Sequence, residues 1–99
     1  MSKKIRTPEV EELFAAILTL QNMDECFTFF EDVCTTNEIL SFAQRYQVAK
    51  LLSGKNTYQE IAEKSGASTA TISRVKRSID DGNGGYRMVF DRLNKENNE

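Results

Sequence analysis

Histidine and tryptophan are both missing from the 99 residues, and there is a single proline. Without an imidazole the chain has no histidine general base and no mixed Cys/His zinc site. Cysteine is scarce too: Cys26 and Cys34, eight residues apart, form neither a CxxC pair nor a zinc framework. They read as small apolar residues of a reduced protein. No apolar run approaches the ~18 residues of a membrane span, and the first residues lack the apolar stretch of a signal peptide. A cytoplasmic protein without a membrane partner is therefore expected. A glycine-rich phosphate loop after a strand is absent, as is any nucleophile paired with a base, so the sequence reads as a non-enzyme without cofactor or metal. Asp80-Asp81, beside Gly82, reads as a helix end rather than a metal pair.

A global excess of basic charge is also lacking: the formal net charge is −2. The charge is nevertheless unevenly placed. Over residues 1–34, Lys3, Lys4 and Arg6 face Glu9, Glu11, Glu12, Asp24, Glu25, Glu31 and Asp32, a net −4. Over residues 55–79, Lys55, Lys64, Arg74, Lys76 and Arg77 outweigh Glu60 and Glu63, a net +3. Contact with phosphates depends on local potential, so an acidic body with one basic face can still dock on nucleic acid. The apolar fraction, 39%, is a little low for a globular monomer. Burial against a second copy is one remedy; the greater surface per residue of any small domain is the other account.

The punctuation of the chain predicts six helices and no strand, in one domain over residues 1–99. Residues 1–6 read as a flexible arm and 94–99 as a flexible tail. Thr7-Pro8-Glu9 is a helix start, with Thr7 as cap and Pro8 at the first position. Val10, Leu13, Phe14, Ile17 and Leu18 then follow at helical spacing. Asn22 and Glu25 have capping-box spacing and open a second helix. Its Cys26, Phe27, Phe29, Phe30 and Val33 are apolar around much of the circumference, which calls for burial on more than one side. Thr35 and Glu38 open a longer third helix, with Ile39, Phe42, Ala43, Tyr46, Ala49 and Leu51 or Leu52 inward. Gly54 is expected to stop it with a left-handed backbone. After the glycine cluster Gly82-Asn83-Gly84-Gly85, a last helix carries Tyr86, Met88, Val89, Phe90 and Leu93.

Two short helices between Thr57 and Ile79 carry the functional signal. Thr57 and Glu60 form another capping box, Ile61 and Ala62 face inward, and Gly66 stops the helix. Ser68 caps the next, with Ile72, Val75 and Ile79 inward. This matches the demands of a helix-turn-helix over 58–77: Ala62 where the backbones approach, Gly66 for the positive φ of the turn, and Ile61, Ile72 and Val75 for a tiny core. Ser65 stands where an apolar residue is commoner. The residues left outward on the second helix are short or basic. Ser68, Thr69, Ala70, Thr71, Ser73, Arg74 and Arg77 are the candidate DNA-binding residues, with the hydroxyls near the helix N-terminus and the arginines long enough to reach guanine edges or phosphates. An ordinary helical hairpin with a solvated positive face is the competing structural reading. A non-catalytic protein-interaction adaptor on the same core is the competing function.

From Asn37 to Arg77, and on towards Leu93, the chain resembles the Trp-repressor superfamily and its YerC/YecD-like branch. The resemblance rests on EILSFAQRYQVAKLLSGK, on TYQEIAEKSGASTATISRVKR and on the helix after the glycines. It implies an intertwined, all-α, six-helix homodimer and a transcriptional regulator that binds double-stranded DNA, with half-sites about 34–36 Å apart. It also implies where a tryptophan corepressor would sit, beside an arginine equivalent to Arg74. Here Val75 replaces the glycine that leaves space for the indole, and the carboxylate-gripping arginine aligns with Gln44, with Arg45 adjacent. Tryptophan is therefore disfavoured, and the effector, if one exists, is unknown.

Overall fold

The structure, a computed structural model, describes residues 3–97. Among them are six α-helices and no strand, as expected: α1 (Pro8–Ile17), α2 (Met23–Val33), α3 (Thr36–Leu52), α4 (Tyr58–Ser65), α5 (Thr69–Asp81) and α6 (Gly85–Asn97). A single 3-10 turn, Lys3–Ile5, precedes α1 within the expected arm, whose residues 1 and 2 lie outside the described residues. Helix α6 continues through Asn97, so the expected tail is helical as far as it is described, and residues 98 and 99 lie outside. The chain divides into two units, Met1–Ile39 and Leu40–Glu99, the boundary falling early in α3.

Local hydrogen bonds set the helix starts. The Thr7 hydroxyl accepts from the Val10 amide, and Pro8, with no amide to satisfy, takes the first position of α1. Asn22 Oδ1 accepts from the Glu25 amide, but the Glu25 carboxylate accepts from Gln21, one residue before the cap. The boxes at Thr35/Glu38 and Thr57/Glu60 are fully reciprocal. Such caps satisfy amides that the first helical turn leaves without partners, and each contributes about 1 kcal/mol.

In the unit Leu40–Glu99 the core consists of Val48, Ala49, Ile61, Ala67, Ile72 and Val75. Val48, Ala49, Ile61 and Ile72 are fully buried. Leu51, Leu52, Ala62, Ile79, Tyr86 and Phe90 pack around them half-buried. Tyr46 of α3 and Tyr86 of α6 both lie against the Phe90 ring, at centroid distances of 5.4 Å and 6.1 Å. Helix α3 therefore turns Val48 and Ala49 to the core. Val48 was not among the residues expected to face inward, whereas Phe42 and Ala43, which were, are exposed. The helix ends differently from expectation as well. Gly54 is not left-handed; positive φ occurs only at Gly66 and Gly84 among the described residues. The Asn56 side-chain amide donates to the Leu51 carbonyl (2.9 Å) and caps the end of α3 instead.

Among its described residues, the unit Met1–Ile39 buries none fully. Phe29 and Phe30 pack edge to face at 5.6 Å, but Leu18 is 84% exposed, Met23 72% and Phe27 58%. The burial of α2 on several sides, expected from its composition, is not supplied by this chain's own residues.

Three glycines are set by backbone geometry, Gly84 at φ 78° among them. Gly66 lies at φ 72°, where an added Cβ costs about 1–2 kcal/mol. At Gly82 an added Cβ would collide with the Ser78 carbonyl oxygen, backbone that cannot swing away. Gly66→Ala is expected to lower stability by about that 1–2 kcal/mol, and Gly82→Ala by at least as much. Gly85→Ala, with nothing within 4 Å of the new methyl, should cost nothing. Urea midpoints of the three variants measure this ordering.

Candidate nucleic-acid interface

The segment from Thr57 to Asp81 is assembled from short-range rules. The Thr57/Glu60 box opens α4, and its hydrogen bonds from the Thr57 amide and side chain, helped by Lys64, hold the Glu60 carboxyl below its ordinary range. A lowered carboxyl stabilises the fold above its unfolded value and loses that contribution as pH falls through the folded one. Being fully exposed, this box adds little beyond the cap itself. Gly66 closes α4 in the left-handed region, its amide donating to the Ala62 carbonyl (2.8 Å). The Ser68 hydroxyl then accepts from the Thr71 amide and opens α5. Three residues separate the two helices.

Ser65 occupies a position where the motif commonly has an apolar group, and hydrogen bonds explain its fit. Its hydroxyl donates to the Ile61 carbonyl (2.6 Å) and accepts from the Ala67 amide (3.1 Å). A polar side chain half-buried in the turn is thus satisfied on both sides, and it stabilises the backbone that an apolar residue would only cover. Ala67, in the turn, is 6% exposed and joins the core.

Burial of Ile72 and Val75 decides what α5 presents outward. Ser68, Thr69, Ala70, Ser73, Arg74 and Arg77 are all exposed. Thr71 is half-buried, and its hydroxyl accepts from Ser68 (3.2 Å), so it is the least available of the seven candidates. Helix α5 has no acidic residue in its first turn to oppose an approaching phosphate. Lys76 differs from its neighbours. It pairs with Asp80 one turn on, whose hydrogen bond and charge hold the ammonium above its ordinary range. Its charge is spent within the helix, whereas Arg74 and Arg77 form no ion pair among the described residues.

Beside α5 runs an open groove of about 710 Å³, shared with α3 and reaching Tyr86. Arg45, Arg74 and Arg77 border it together with Thr71 and Ser78, with no acidic side chain in the lining. Val75 forms part of its wall with its own side chain in the core. The Arg45 guanidinium lies 5.1 Å from the Phe42 ring centre. Arg45 thereby joins the basic edge although it lies outside the 58–77 motif. No local periodicity marks it, because α3 and α5 meet only through the tertiary fold. Gln44, also on the groove, donates to the Ser65 carbonyl (3.3 Å). No group of three potential metal-ligating side chains occurs among the described residues, and none of their helices is long and apolar enough to cross a membrane.

Known proteins share this architecture along nearly the whole chain. The family described as Trp repressor protein matches residues 8–94. The uncharacterized protein YerC of Bacillus subtilis (strain 168) is 50% identical over 96 residues, covering 97% of this chain and 92% of the relative. The crystal structure of a TrpR-like protein from Eubacterium eligens ATCC 27750 superposes with a TM-score of 0.92 at 60% identity, covering 94% of this chain and 96% of that one. That of a putative Trp repressor from Staphylococcus aureus gives 0.90 at 56% identity, covering 93% and 92%. With its six helices and its tight α4–α5 turn, the chain belongs to the Trp repressor family, a family of DNA-binding regulators.

Proposed function

We propose that the protein is a sequence-specific transcriptional regulator, acting as a repressor, that binds double-stranded DNA as a homodimer. In this reading α4 and α5 form its helix-turn-helix and α5 is the recognition helix. The observation that carries it is the division of α5. Ile72 and Val75 are buried while a contiguous outward side offers short hydroxyls and two arginines without ion pairs among the described residues. Short side chains let a helix sit deep in the major groove, and its N-terminal dipole adds to phosphate attraction. Ser68, Thr69, Ala70, Thr71 and Ser73 supply the tip. Arg74 and Arg77 reach for base edges or backbone.

Dimerisation is supported by the apolar surface that one chain leaves uncovered. Leu18, Met23 and Phe27, and on α6 Met88, Val89 and Leu93, are all exposed. Patches of this kind on a small chain mark association sites. A second copy of the chain would also place two α5 helices on successive grooves of one operator.

Regulation without tryptophan is supported by one residue. Val75 stands where a corepressor site of the resembled kind needs a glycine, and it is 2% exposed in the core.

Four measurements test these readings. Duplex affinity should fall steeply as salt rises, in proportion to the phosphates contacted. Arg74→Ala and Arg77→Ala should each cost ~1–3 kcal/mol of operator binding if the residue reads a base. Wild-type affinity in both variants, with helical signal intact, would remove the assignment of α5, and absence of duplex binding at low salt would favour the adaptor. Sedimentation should give the mass of two chains, and Phe27→Glu should shift it towards one. Calorimetry should find no saturable tryptophan binding at micromolar concentration.

A further inference from the structure

One side-chain hydrogen bond differs in kind from the rest. Gln44 Nε2 donates to the carbonyl of Ser65, 21 residues further along the chain. Every other side-chain hydrogen bond among the described residues spans eight positions or fewer. Its acceptor is a helix-end carbonyl, one of the groups that α4 leaves without an internal partner. Its place is the seam where α3 meets the turn, since the atom nearest a Cβ built on Gly66 is Gln44 Nε2, at 4.0 Å. The adjoining Ser65 hydroxyl bonds Ile61 and Ala67. Gln44 thus connects α3 to a turn whose own polar groups are already bonded to one another.

We infer that Gln44 is a positioning residue for DNA reading: by holding the Ser65 carbonyl to α3, it sets the angle at which α5 leaves the turn. The inference rests on the DNA-binding reading above. Gln44 needs no contact with nucleic acid for this role. Base-edge hydrogen bonds tolerate only small displacements of α5, whereas long arginine side chains can follow a phosphate through them. Loss of the bond therefore lowers discrimination between operator and random duplex, with little effect on binding to random duplex.

The test compares Gln44→Leu, which removes the donor at similar length, Gln44→Glu, which sets a carboxylate against the Ser65 carbonyl, and Gln44→Lys, which restores a donor. The operator is first selected from a random duplex library with the wild-type protein. The ratio of operator to random-duplex affinity should drop about two- to tenfold in Gln44→Leu, the range of one hydrogen bond. It should drop further in Gln44→Glu and recover in Gln44→Lys, while random-duplex affinity and its salt slope stay unchanged in Gln44→Leu. Amide exchange at Gly66 and Ala67 should quicken in the first two variants. An unaltered ratio in Gln44→Leu and Gln44→Glu overturns the inference alone. So does a parallel fall in both affinities, which marks lost folded protein. A wild-type protein that binds no duplex at low salt overturns the DNA-binding reading and the inference with it.

Discussion

Burial of Ile72 and Val75 is the constraint on which the rest of the Leu40–Glu99 unit depends. They lie three residues apart on α5, on one side of the helix, against the core that Val48, Ala49, Ile61 and Ala67 complete. Fully burying each large side chain contributes about 1.5–3 kcal/mol, a large share of what a core of six residues can supply. Rotating α5 to bury any other side would expose these residues and push Arg74 or Ser73 into apolar surroundings. The outward presentation of the hydroxyls and arginines thus follows from apolar burial on the opposite side, with no separate device needed to hold them out.

Around this core the polar groups of the turn are accounted for by the turn itself and by Gln44 of α3. Gly66 supplies a backbone conformation that other residues enter at a cost, and Ser65 bonds the backbone on both sides of it. The ends of α4 and α5 are satisfied by Thr57, Glu60 and Ser68. A turn of three residues then joins the two helices. No buried side-chain nitrogen or oxygen lacks a partner among the described residues.

The Met1–Ile39 unit poses the opposite case. Its helices are well capped, yet none of its described residues is fully buried. Helical structure held by caps and propensity alone is marginal in water, so such helices draw their stability from packing of an apolar side. That side exists in Phe14, Leu18, Phe27 and Val33. The homodimer proposed above would supply that cover.

The six helices, five of their starts, the left-handed Gly66 and the outward residues of α5 other than the half-buried Thr71 were legible from the sequence. They rest on contacts between residues three or four apart, which spacing alone reveals. The tertiary structure alone decided the long-range choices. It selected Val48 over Phe42 for the core, capped α3 with Asn56 rather than a left-handed Gly54, brought Arg45 alongside α5, and joined Gln44 to Ser65. A side chain on α3 can meet an apolar neighbour, a carbonyl or water according to which element packs beside it. Helical periodicity specifies which side of a helix a residue occupies, but the identity of its neighbour is settled only when the elements pack.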